Sequence, residues 1–111
     1  MQEILDPEAC TTMLEVRAGV DAVDAELVQL LKRRFGYMDA AARIKPERGH
    51  VRDEARKAQV IANARAHARA AGIPDAAIGE MWETLVEASI AYELEAFDAR
   101  LNELTGREDR G

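Results

Sequence analysis

The chain has 111 residues, 48% hydrophobic and 32% charged, with a net charge of −6 at neutral pH. This is the composition of one globular domain, not of a disordered chain. The acidic balance argues against nucleic acid or an anionic membrane as partner, while leaving room for a local cationic pocket.

A single cysteine, Cys10, excludes an intrachain disulfide and a Cys-rich metal site. His50 and His67 lie far apart without a ligand motif and are expected at the surface. The N-terminal "MQEILDPEACTTM" carries acids and no apolar core, so it does not read as a signal peptide, and no apolar run approaches membrane-spanning length. A cytoplasmic protein without metal or cofactor is expected.

Three helices and no strands are predicted, an all-α chain. The first runs from about Pro7 or Thr12 to about Lys45, with Val16, Val20, Val23, Leu27, Leu30, Leu31, Met38 and Ala41 spaced at three and four. Pro46 stops it, and "KPERGH" is a polar connector expected to be mobile and to act as a lid beside Lys45. The second helix starts near Asp53 and runs to about Ala71; it is alanine-rich, with Val60 and Ile61 as its larger apolar groups. Gly72 suits its C-terminal cap. Pro74 and Asp75 suit the first turn of a third helix reaching about Leu104. The expected domain is 1–111, with a core over about 10–104 and a flexible tail over 105–111. A first helix about 50 Å long carries more apolar stripe than a chain of this size can cover, so a homodimer is expected.

Two cations break the pattern of the first helix. At about 100° per residue, Arg34 falls in the middle of the apolar stripe, and Lys45 points within about 20° of it, three turns on. Lys32 and Arg33 point elsewhere. Snorkelling accounts for a lysine at a helix end. An arginine in mid-stripe needs a counter-charge, and a bound carboxylate held by two parallel hydrogen bonds meets that need. Arg17 flanks the same stripe, about 25 Å from Arg34 and rotated by about 100°. One small ligand touches both only if a second copy runs antiparallel to the first.

The third helix repeats the anomaly. Ile78, Met81, Leu85, Ala88, Tyr92 and Ala96 form one apolar row; Val86, Ile90, Leu94, Phe97 and Leu101 form another. Between them lie Trp82, Ser89 and Glu93, whereas Glu80, Glu87, Glu95, Asp98 and Asn102 share a far side read as solvated. Ser89 can bond its own helix backbone, and Glu93 can pair with a facing cation.

The ordered set "EVRAGVDAVDAELVQLLKRR", "YMDAAARIK", "VRDEARK" and "SIAYE" resembles the all-helical chorismate mutase family, which includes isochorismate pyruvate lyases. The resemblance covers nearly the whole chain. It implies an intertwined three-helix homodimer with two equivalent sites for a small dianionic substrate, chorismate or isochorismate. It implies that Arg17 is given to the partner's site, and that Arg34, Lys45, Asp53, Arg56, Ser89 and Glu93 come from the other chain. Arg17 and Arg34 would hold the two carboxylates, Lys45 and Glu93 would serve the ether oxygen, Asp53 and Arg56 would line the ring and its hydroxyl, and Ser89 would meet the ring carboxylate. The mutase rearrangement of chorismate to prephenate is pericyclic, so it calls for a held conformer and fixed positive charge rather than a nucleophile, base or metal.

Two positions depart from the family pattern. Position 93 is Glu where many relatives have Gln; an ionised carboxylate repels a developing oxyanion, while a protonated one donates to it, so acid is expected to favour activity. Position 57 is Lys where mutases often carry a Glu near the ring hydroxyl. Mutase is the preferred reading and lyase the alternative, since "PEACTTMLEVR" and "YMDAAARIK" are lyase-like whereas "VRDEAR" and Glu93 are mutase-like. A non-enzymatic helical dimer is the third reading.

Overall fold

The computed structural model describes residues 3–110, with side chains through Thr105. Among the described residues the fold is three α-helices and two short 3-10 turns, without a strand. The helices are α1 (Met13–Ile44), α2 (Glu54–Ala71) and α3 (Asp75–Arg110); the 3-10 turns are Pro7–Ala9 and Arg48–His50. The chain divides at Gly36 into two compact units, and α1 contributes to each.

In the first unit, Thr12 and Glu15 form a reciprocal capping box at the start of α1. The Glu15 N–H donates to Thr12 Oγ1 at 3.2 Å, while Glu15 Oε1 accepts from the Thr12 and Thr11 N–H groups at 2.9 and 3.0 Å. The Thr11 N–H, followed by the other donors of this cap, holds the Glu15 carboxyl below its ordinary range. The stripe predicted for α1 is open here: Val16, Val20, Val23 and Leu27 are 38%, 52%, 53% and 50% exposed.

The second unit is built on an αα-hairpin of α2 and α3. Asp53 caps α2 by accepting from the Arg56 N–H at 3.0 Å. Gly72 ends it at φ 74°, a left-handed conformation that glycine adopts without strain, and the Ile73 N–H reaches back to the Ala68 carbonyl at 3.0 Å. Alanine on α2 permits a close approach to α3, and Ala64 and Ala68 are buried. Val86 and Ile90 of α3 meet Val51 in the core, with Val60, Ile61, Trp82 and Leu94 packed against them. The Asp75 carboxylate faces Arg65 and Arg69 of α2 at 2.9 and 3.1 Å, tying the two helices at the turn.

Two features differ from the sequence reading. The connector expected to be a mobile polar loop carries the 3-10 turn Arg48–His50 and plants Val51, 4% exposed, in the core. And α3 continues to Arg110 rather than ending near Leu104. No proline interrupts it, and extending an existing helix costs little; Thr105 Oγ1 also bonds back to the Leu101 carbonyl at 3.0 Å. Gly111 lies outside the described residues. Among those described, no helix is long and apolar enough to cross a membrane.

Candidate active site

Lys45 stands where α1 runs out. Its N–H still closes a helical bond to the Ala41 carbonyl at 2.9 Å, and Pro46 cannot extend the ladder. From that terminus its Nζ lies 2.7 Å from Glu93 Oε1 on α3. The side chains are 30% and 5% exposed, so the lysine keeps contact with solvent while the glutamate is buried. The approach is at ion-pair distance but off the direction of a hydrogen bond, and Oε1 has no hydrogen-bond partner. Ser89, one turn before Glu93 on the same face, is 4% exposed and donates to the Leu85 carbonyl at 2.7 Å. The buried carboxylate and the buried hydroxyl thus stand one turn apart on α3, and the cation meets the carboxylate, whose burial strengthens that charge interaction.

The last turns of α1 are fastened to α3 by two further bonds. Tyr92 donates its hydroxyl to Asp39 Oδ2 at 2.9 Å, and that carboxylate, ahead of burial, pushes the phenol above its usual range. Arg100 Nη1 donates to the Ala42 carbonyl at 3.1 Å. Ala42 is 2% exposed, and its carbonyl is among the terminal groups that a helix leaves without a partner of its own.

At the other end of the connector, Asp53 and Arg56 are both exposed. The Asp53 carboxylate caps α2 through the Arg56 N–H, and Arg56 Nη1 donates to Gln59 Oε1 at 2.6 Å. Lys57 turns to α3, where its Nζ lies 2.6 Å from Glu83 and 3.0 Å from Glu87; Glu83 first and Glu87 second raise its pKa. Glu87 also receives both terminal nitrogens of Arg52, at 3.1 and 2.9 Å. Arg52 first, then Lys57, lower the Glu87 carboxyl to about 2.

The model of the family chorismate mutase type II matches residues 16–94. The chain belongs to this family. It is also 44% identical over 39 residues to an isochorismate pyruvate lyase of Pseudomonas aeruginosa. That match takes in 35% of this chain and covers 39% of the relative's length. Membership supports an enzyme of chorismate mutase type; the lyase match is too short to assign the reaction.

Of the residues singled out in the sequence, Lys45 and Glu93 are brought into contact in the second unit, with Ser89 one turn before Glu93 on α3. Asp53 and Arg56 form the N-terminal cap of α2 there, their side chains bonding to the Arg56 N–H and to Gln59 respectively. Arg17, exposed, and Arg34, half-buried, lie on α1 in the first unit. Sequence reasoning missed Asp39, Arg48, Arg52, Asp98 and Arg100. Glu87 and Asp98 had been read as part of a solvated face, yet both carry ion pairs to the connector, since Arg48 Nε and Nη2 reach Asp98 at 2.8 and 3.3 Å. Nothing in the helical period marks which exposed acid meets a connector from outside its own helix.

Proposed function

We propose that the chain is a chorismate mutase, converting chorismate to prephenate as a homodimer. The reaction breaks the ether C–O bond of the enolpyruvyl group and forms a C–C bond to the ring, with no atom gained or lost. Negative charge grows on the ether oxygen as the bond stretches, so a fixed cation there lowers the barrier. The observation that carries the reading is the Lys45 ammonium held against buried Glu93, on a side chain that is 30% exposed. Lys45 has three donors, and the contact with Glu93 leaves others for an incoming oxygen. Arg17 and Arg34 are assigned to the two substrate carboxylates, Ser89 to the ring carboxylate, and Asp53 and Arg56 to the ring and its hydroxyl. Family membership supports these roles.

The dimer belongs to the same proposal. The exposed row Val16, Val20, Val23 and Leu27 is an apolar face that a second α1 would cover. Arg17 would then enter the partner's site. Mixing Arg17→Ala with Lys45→Ala tests this: each is inactive alone, but subunit exchange leaves one intact site in the heterodimer, so about a quarter of wild-type activity returns. No recovery after exchange overturns the shared site.

One observation favours a second reading, an isochorismate pyruvate lyase: the identity to the Pseudomonas aeruginosa enzyme. There the same C–O bond breaks while a ring hydrogen passes to the enolpyruvyl methylene, giving salicylate and pyruvate. Incubation with chorismate and with isochorismate, assayed for prephenate, salicylate and pyruvate, separates the readings. Prephenate alone supports the mutase, salicylate with pyruvate the lyase, and no turnover a non-enzymatic dimer.

A further inference from the structure

The connector between α1 and α2 has proposed substrate-binding residues at both ends, Lys45 before it and Asp53 with Arg56 after it. It is polar, contains Gly49, and is short of apolar side chains. Such a segment is by default an open loop whose ordering is deferred until a ligand arrives. Here it is fastened three times. Arg48 grips Asp98 through two bonds, Nε to Oδ1 at 2.8 Å and Nη2 to Oδ2 at 3.3 Å. Arg52 grips Glu87 through two bonds, at 3.1 and 2.9 Å. Between the two grips Val51 sits in the core against Val86 and Ile90.

The placement of the acids gives these contacts a direction. Glu87 and Asp98 share one face of α3, about 16 Å apart along its axis. Arg48 precedes Arg52 while Asp98 follows Glu87, so the connector runs antiparallel to α3 and lies along it as a strap. Ser89 and Glu93 project from a different side of the same helix. One rigid element thus carries the buried carboxylate that meets Lys45 and both acids that hold the chain just after Lys45. Fork-shaped pairs of arginine with carboxylate fix angle as well as distance. The Asp98 contact, hydrogen bond first and charge second, raises the pKa of Arg48.

We infer that Asp98 and Glu87, through Arg48 and Arg52, are positioning residues that fold this strap before substrate arrives and so present Lys45 ready-placed; the inference rests on the function proposed above. Neither acid touches substrate. Their effect is on the population of binding-competent enzyme: if the strap opens in a fraction of molecules, the apparent affinity falls by that fraction, while turnover of the bound complex, in which the strap is closed, stays.

Asp98→Asn is the cleaner probe, because Glu87 also serves Lys57. Hydrogen exchange of the His50 and Val51 amides, which close the 3-10 turn onto Glu47 and Arg48 at 3.1 Å each, reads the strap without any substrate. In Asp98→Asn and in Arg48→Gln, exchange is expected to quicken by about threefold, the scale of one exposed fork, with kcat kept and KM raised by the ratio of one plus the variant's opening constant to one plus that of the wild type, both constants being read from the exchange. The reversed pair Arg48→Asp with Asp98→Arg restores slow exchange and low KM. Unchanged exchange overturns the latch. Faster exchange with KM departing from that ratio, or with kcat lost at constant KM, overturns the positioning role. If the wild type turns over neither chorismate nor isochorismate, the proposed function and the KM arm fall together, and exchange in the two single variants and the reversed pair still upholds or overturns the latch.

Discussion

Glu93→Gln is the most informative substitution at this site. In either proposed reaction the ether oxygen becomes more negative as its bond to the ring carbon breaks, and Lys45 is placed to receive it. Lys45 Nζ lies 2.7 Å from Glu93 Oε1. A second acceptor bonded to the same ammonium at about 2.9 Å, in a tetrahedral direction, sits about 4.5 Å from that carboxylate oxygen. At an effective dielectric of about 20, a full negative charge at that distance is repelled by about 4 kcal/mol, and about half a charge by about 2 kcal/mol. Glutamine keeps the shape and adds a donor while removing the charge. Its expected effect is therefore a gain of about twentyfold to thirtyfold in kcat at neutral pH. Lys45, 30% exposed, keeps water at its ammonium and is not stranded by the loss of its partner. The assay is turnover of chorismate and of isochorismate from pH 5 to 9. A variant no faster than wild type at neutral pH would refute the reasoning.

Lys45→Ala is expected to abolish turnover of either substrate and to lower stability by about 2 kcal/mol in urea unfolding, since it leaves Glu93 buried without its cation; partial solvation of Lys45 keeps this below the cost of breaking a fully buried pair. Arg33→Ala, by contrast, removes an exposed cation that points away from Arg34's side of α1, and kcat/KM should stay within about twofold of wild type. Asp53 separates capping from recognition: Asp53→Ala should cost about 1 kcal/mol in urea unfolding and Asp53→Asn a few tenths, because Asn caps as well as Asp. A loss of kcat/KM shared by both variants then reports the carboxylate's role toward substrate, and a loss confined to Asp53→Ala reports the cap. The Glu87 carboxyl is held at about 2 by Arg52 first and Lys57 second, below its ordinary value of 4.5. A lowered carboxylate contributes stability that is complete above the unfolded value and is lost as pH falls from there toward about 2. Thermal unfolding followed between pH 6 and 2.5 should therefore drop more steeply in wild type than in Glu87→Gln.

How much of this was legible in the sequence depended on whether one helix was enough to show it. The three helices and the ends that face one another across the two connections were readable because Pro46, Asp53, Gly72 and Pro74 act on the backbone beside them, and the structure places helix ends at each. Ser89 and Glu93 were readable as a polar pair in an apolar arc, and both are buried at 4% exposure. The face of Glu87 and Asp98 was read as ordinary surface for the same reason: the helical period shows that acids share a side, and says nothing of what crosses it. What crosses it is set by the connector, where a proline, a glycine and the run of charges around them suggested mobility. One residue there outweighed that composition. Val51 has no apolar neighbour in "RGHVRDE", yet in the fold it completes the cluster with Val86 and Ile90. Burying it draws Arg48 and Arg52, three residues before it and one after, onto α3, where acids already stand. The apolar contact selects the path of the strap and the ion pairs hold its direction, an order that exposed ion pairs alone, worth about 1 kcal/mol or less each, could not impose. Lys45 therefore owes its approach to Glu93 both to the end of α1 and to a valine six residues further on.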